Sequence, residues 1–268
     1  MKKYLYGFKF NFLTSFNYRF NTAVSLLFSN LRLLITIIFW ALIYGGDMQK
    51  VLNGFTLSAI ITYMIFMDLF GTISFLMRDS GFEIAAMIKS GALGPAMLKP
   101  QNLGASLYFR NFAAGVTALI PQAAFVLCAM PFAARYLVWG LSAAGAASIL
   151  LFLVAGTVTA HLLNSILGYM AFWLEEANAV MWSFAVLLNF LMGFFIPIDF
   201  FPKWSIAAIE MLPVASWGYI QTKIYIGLYP AEKQLLLLAV QCAWIAALLA
   251  ANALIWNRGV RKFSSVGA

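Results

Sequence analysis

Two ionisable side chains fall where charge is expensive. Asp68 and His161 both lie inside long apolar runs. An acid or an imidazole within a bilayer faces a cavity, a proton path or a partner. Together they could serve a proton-coupled carrier, although two isolated groups make a thin relay. Arg32, in the preceding apolar run, offers Asp68 a buried pairing, and His161 has the alternative of a hydrogen bond between helices. Cys128 and Cys242 also sit in apolar runs and read as small buried hydrophobes, neither a disulfide nor a metal pair. One His and two Cys cannot build a protein-only zinc cage, so no metal site is expected. The sequence contains no His-Glu-x-x-His, Gly-x-Ser-x-Gly or Cys-x-x-Cys, and no Gly-x-x-x-x-Gly-Lys-Ser/Thr phosphate loop. No catalytic residue is therefore expected, and nucleotide is not bound in that way.

The elements that must position these groups follow from composition. Of 268 residues, 63% are hydrophobic and only 10% charged. A soluble domain carries roughly 45–50% apolar and about 25% charged residues. The chain lacks the polar surface to cover a water-soluble body and belongs in a bilayer. The net charge of +8 comes from short loops and the termini. It reads as topology and attraction to anionic membrane lipids, with no nucleic acid involved. The basic start, Met1-Lys2-Lys3, runs into aromatic residues rather than a short apolar core, so no cleaved leader is expected.

Crossing a hydrocarbon core of about 30 Å takes about 20 mostly apolar residues. Six stretches qualify: 24–44, 56–77, 111–130, 138–166, 177–196 and 234–256. The fourth lies within an apolar run from Leu137 to Leu174 and is read as one long helix, with Gly156 and Gly168 as bend points. With both termini cytosolic, eleven of the 17 Lys and Arg lie on the inner side and five on the outer, with Arg32 in the membrane. That bias orients the chain. The fold class is an all-α polytopic membrane protein, one unit over 1–268.

Four pieces are not spans. Residues 2–21 place Leu5, Phe8, Phe12, Phe16 and Phe20 on one helical stripe, with Lys3, Asn11, Thr14, Asn17 and Asn21 opposite. That pattern predicts an amphipathic interfacial helix. A period-two alternation from Tyr4 to Phe12 is the rival, but a lone strand would leave backbone groups unpaired. The inner loop after the second span holds Ser80-Gly81-Phe82-Glu83, a capping box that predicts a short helix ending at Ser90, with Gly91 closing it in a left-handed conformation. Phe82, Ala85 and Ile88 give that helix an apolar side suited to docking on another protein, and Lys89 a charged one. Pro95 and Pro100 then stop regular structure. The inner hairpin Trp173–Asn178 carries Glu175 and Glu176, which either meet basic residues of a partner or cap the fifth helix. The outer segment 197–230 contains Pro197, Pro202, Pro213 and Pro230. Pro202 would start a helix at its first position, running to Met211, and a second would run from Ala215 to Tyr225. Each is too short to span, so the pair reads as a re-entrant or interfacial hairpin, with Trp204, Trp217, Tyr219, Tyr225 and Tyr229 in the aromatic belt.

This architecture resembles the membrane subunits of ABC exporters of the second type, in the daunorubicin- and polysaccharide-exporter-like branch. The resemblance rests on Ile88-Lys89-Ser90-Gly91-Ala92-Leu93 followed by Leu98-Lys99-Pro100, and on Gly193 to Trp204, which carries Pro197 and Pro202. Leu212-Pro213 with Tyr219 and Ile226-Gly227 completes it. It covers essentially the whole chain. It implies a permease subunit, one of two identical or sister copies, above separate cytosolic ATPases that hold the ATP and magnesium, with no cofactor in this chain. Residues 2–21 would be the elbow helix and 80–91 the coupling helix. Ser80, Phe82, Glu83, Ala85, Ile88, Lys89 and Gly91 would meet the ATPase, with Glu175 and Glu176 as a smaller contact. The 197–230 hairpin, with Pro197, Phe200, Phe201, Pro202, Trp204 and Pro213, would close the path at the outer face of a plasma membrane, the bacterial inner membrane. The alternative is an ATP-independent carrier or channel that depends on Asp68 or His161.

Overall fold

The computed structural model describes residues 19–263, together with 6, 9–10 and 12–14. The interfacial helix expected over 2–21 lies for the most part outside the described residues. The described residues within it are helical.

Long apolar runs leave backbone groups no solvent to bond, and the chain answers with helices. They are α1 (Arg19–Tyr44), α2 (Leu57–Leu76), α3 (Asp79–Lys89), α4 (Leu93–Met97), α5 (Leu103–Ala133), α6 (Ala143–Tyr169), α7 (Ala177–Leu191), α8 (Lys203–Glu210), α9 (Tyr219–Tyr225) and α10 (Ala231–Lys262). Four are long and apolar enough to cross a membrane: α2 continuing into α3, α5, α6 and α10. Two shorter apolar helices, 30–44 within α1 and α7, accompany them. Their outward faces are apolar, as Leu150, Leu151 and Val154 on α6 and Leu235, Leu236 and Leu249 on α10 illustrate. A surface of that kind is stable against lipid rather than water. The described residues make a predominantly helical, polytopic membrane protein.

α6 is the centre of the packing. It lies against α10, α3, α9 and the 3-10 turn Pro213–Trp217. It is continuous, and Gly156 and Gly168 serve close approach instead of bending it. A Cβ at Gly156 would stand 2.2 Å from the Ser216 carbonyl oxygen, and one at Gly168 would stand 2.5 Å from that of Gly81. Ser142 caps the helix by accepting from the Gly145 N–H at 3.0 Å.

Between α1 and α2 a two-residue hairpin joins β1 (Val51–Leu52) to β2 (Phe55–Thr56). Asn53 and Gly54 both have positive φ, 48° and 84°, as a type I′ turn requires. Tyr44 donates to the Phe55 carbonyl at 2.9 Å and ties the hairpin to the end of α1.

Several expectations change. The cysteines are free but exposed on the outward faces of α5 and α10, since an apolar run in lipid does not imply burial. Pro95 does not stop structure: it lies in the first turn of α4, where its missing N–H costs nothing. Pro202 is the residue before α8, not its first, because its backbone is extended (ψ 135°). The helix expected over Ala215–Tyr225 is divided at Gly218 into the 213–217 turn and α9.

Candidate functional site

Three groups of residues combine chemistry with position. The first is the rim made by α3. The capping box does not form: α3 begins at Asp79, and Arg78 before it makes no side-chain cap bond. Ser80 is fully buried and takes tertiary partners instead. Its Oγ lies 2.8 Å from His161 Nδ1 and accepts from Asn111 Nδ2 at 3.1 Å, while its hydroxyl is also within 2.8 Å of the Met77 carbonyl. Span-side helices α5 and α6 thereby hold the start of α3. Glycines let the backbones meet, for a Cβ at Gly81 would reach within 2.4 Å of the Asn164 carbonyl oxygen.

This register turns the apolar side of α3 inward. Ile84, Ala85 and Ile88 are buried in the bundle, with Ile84 and Ile88 beside Leu93, Tyr169 and Phe172. Those positions do not face outward for docking. Phe82 is half-buried against Trp182, and Glu83 is ion-paired with Arg110. Asp79, Ala86, Lys89 and Ser90 are exposed, and Gly91 has the expected positive φ of 75°. Beyond them Leu98 is 87% exposed, an unusual position for a leucine beside Lys99 and Pro100. At the turn before α7, Trp173, Leu174, Glu175 and Glu176 are all exposed. Glu176 occupies the cap position of α7 but makes no cap bond.

The second group surrounds Asp68. Its carboxylate is ion-paired with Arg32 of α1 and accepts from Gln122 Nε2 of α5. Thr72 donates to the Gln122 side-chain oxygen at 2.6 Å or to the Asp68 carbonyl at 2.7 Å. Arg32 is thus a partner rather than a side chain extended toward the interface. His161 and Asp68 do not meet; each belongs to its own network.

The third group is the 197–230 segment, whose 213–217 turn and α9 pack against α2 and α6. A Cβ on Gly156 or Gly218 would strike Ser216 or Met67, and Trp217 Nε1 donates to Thr159 Oγ1 at 3.1 Å. Gly71, beside the Trp217 carbonyl, stands 14 residues after the start of α2, and Gly156 stands 13 after the start of α6. Each is about 20 Å along its helix. The turn therefore sits deep between two long helices. Behind it lies a network of charged and aromatic groups. Lys223 pairs with Asp199 at 2.7 Å and Lys233 with Glu210 at 2.8 Å. Tyr219 donates to Asp199 at 3.0 Å, and Tyr229 donates to Glu210. Burial, helped by these acids, holds both phenols far above their ordinary pKa. Trp217, Tyr219, Tyr225 and Tyr229 are buried here, so of the five belt aromatics only Trp204 is exposed, at 84%. Pro197 and Pro213 are buried, Phe200 and Phe201 are half-buried, and Pro202 is exposed. Phe200 packs on Trp40 and Phe55, with ring centroids 5.0 and 6.3 Å apart.

Sequence reasoning overlooked Asn111, Gln122, Glu210 and Lys223. The first two were readable as amides inside an apolar span; the acid–lysine pairs join residues 20 or more positions apart and had no local signal. Among the described residues no group of three or more His, Cys, Asp or Glu is placed to hold a metal.

Comparison with known proteins adds one finding. A family model described as ABC-2 family transporter protein matches residues 31–267. Neither the curated proteins nor the solved structures yield a match.

Proposed function

The chain belongs to the ABC-2 transporter family as a multi-pass membrane subunit, and on that premise we propose that it is the permease of an ATP-driven exporter. The family match over most of the chain carries this reading. Two copies, or this chain and a sister permease, form the path, and separate cytosolic ATPases bind beneath. α1 and α7 join the four long helices to make six spans, with both termini cytosolic.

The ATPase rests on the α3 rim. The contact is made by the outward residues Asp79, Ala86, Lys89, Leu98 and the Trp173–Glu176 tip, while Ser80, Ala85 and Ile88 fix α3 to the bundle. Closure of the ATPase dimer on ATP moves α3, and α3 moves α6 with it, because glycine contacts and the Ser80–His161–Asn111 network bind the two. α6 in turn touches the deep 213–218 turn. The step is a rigid-body tilt between two states, driven by contacts rather than by chemistry in this chain. The carrier alternative gains nothing from the geometry, since Asp68 and His161 are each engaged by neighbouring helices.

The test is a gentle-detergent purification of the tagged chain from native membranes, identifying what accompanies it. A soluble subunit with a phosphate loop is expected. It should be lost from an Ala86→Asp, Leu98→Asp variant whose thermal stability is unchanged. A natively folded chain that comes alone, or transport that persists without ATP, refutes the reading.

A further inference from the structure

Arg32 is placed in a way that its pairing with Asp68 does not explain. Asp68 is covered, with 6% of its side chain exposed, and both its oxygens are engaged by Arg32 and Gln122. Arg32 is 45% exposed although it stands 13 residues into α1. One Nη2 meets the carboxylate, out of five N–H donors on a guanidinium. The guanidinium carbon lies 4.4 Å from the Phe194 ring centroid, a cation–π contact that holds the group beside that ring. Beside it is a cavity of about 120 Å³ walled by Met64, Met67, Phe194 and Phe195, with Thr36 and the edge of Asp68 also on its lining.

An arginine with spare donors at mid-helix in a bilayer protein faces a water-filled path or a partner with acceptor oxygens. We propose that this cavity is a subsite for the oxyanion head, carboxylate or phosphate, of an amphiphile. Arg32, at 45% exposure, offers the cavity its remaining N–H donors, whereas Asp68, which also lines it, is only 6% exposed and already paired, so an oxyanion is favoured over a cationic head. A planar fork matches two oxygens of one oxyanion. The sulfur and aromatic walls suit the first carbons of a chain, and the cavity holds a head and a few carbons, so the rest of the chain leaves through its open side. The site rests on the transport reading only for whether its occupant is cargo; a resident anionic lipid would satisfy the same chemistry.

The test uses the full chain, with whatever subunits accompany it, in zwitterionic nanodiscs. Oleate, oleyl alcohol and oleylamine are titrated, and bound copies are counted by native mass spectrometry. Oleate should bind at least about tenfold more tightly than the other two. The Arg32→Gln, Asp68→Asn double variant, which removes both charges together, should lose that preference. Thr36→Trp, which fills the cavity from its half-buried lining without touching a charge, should exclude oleate. Equal binding of oleylamine, or unchanged oleate binding in both variants, overturns the proposal. Added ATP distinguishes the sources: release marks cargo and retention marks a resident lipid, and either keeps the site. A preparation lacking an ATPase still reports on oleate, so failure of the exporter reading is seen separately.

Discussion

The side-chain oxygen of Ser80 lies 2.8 Å from Nδ1 of His161, joining the first turn of α3 to the middle of α6. A hydroxyl that meets an imidazole, an amide and a carbonyl inside a helix bundle is a joint, and its removal strands the other groups. Ser80→Ala should cost about 1–3 kcal/mol, the penalty for leaving buried partners unpaired. His161→Leu should cost a similar amount, and the double variant less than the sum of the two. Thermal unfolding of the four proteins in one detergent measures this; strict additivity would show that the two residues do not interact.

The Gly81–Gly168 contact admits no side chain. Gly81→Ala puts a Cβ 2.4 Å from a backbone oxygen. A clash with backbone cannot be relieved by a rotamer change, so a loss of at least about 1–3 kcal/mol is expected, with a low yield of monodisperse protein. Gly104→Ala is the control, because its nearest neighbour is the Asn102 side chain at 3.4 Å. Equal yields from the two variants would mean that α3 is not held as described.

Glu210 anchors the far side of the 197–230 segment, with Tyr229 and Lys233 on its carboxylate. Glu210→Ala should release that segment, at a cost of about 1–3 kcal/mol, since Tyr229 loses its buried acceptor while Lys233 can turn to solvent. Tyr229→Phe should cost about 1 kcal/mol. Lys223 is 7% exposed in the intact protein. Trypsin should therefore cut after Lys223 in the Glu210→Ala variant and spare it in the parent. Cutting of both at the same rate would contradict the anchoring role.

Cys128 and Cys242 give a fourth check. Both are exposed on helix faces that meet lipid. Replacing each by leucine should shift stability by no more than about 0.5 kcal/mol, as for surface positions elsewhere. Had they been core residues, the larger side chain would overpack, and the melting temperature would fall.

What the sequence could disclose depended on the range of each signal. Hydropathy located the long helices, because burial in lipid acts on whole segments, but not their ends: the helix expected from 111 begins at Leu103 and the one expected to stop at 256 runs to Lys262. The Asn53-Gly54 turn was equally local, yet it escaped notice between two apolar runs. Ser80 and Glu83 had the spacing of a capping box, but a serine that finds His161 and Asn111 across the bundle has no need to cap. The tyrosines of 219–229 have belt composition; their burial follows from the depth of the Ser216 turn, which depends on the glycine at 156 in α6. Arg32 and Asp68 were legible as a pair, since opposite charges inside a membrane have few other partners. The residue that completes that pair, Gln122, lies 54 positions from Asp68.

The deep turn at Ser216–Gly218 also has a consequence for biogenesis. Its seat is built from α2 and α6, both of which leave the ribosome before the turn is made. Until residues 213–218 arrive, Thr159 and the glycine surfaces of those helices stand open to lipid. Insertion must therefore include, before α10 is added, a docking event in which a short segment displaces lipid from a waiting groove. A chain interrupted between α7 and α9 would have all its earlier helices in place and still display an unfilled seam, a mark by which membrane quality control could distinguish an unfinished subunit from a finished one.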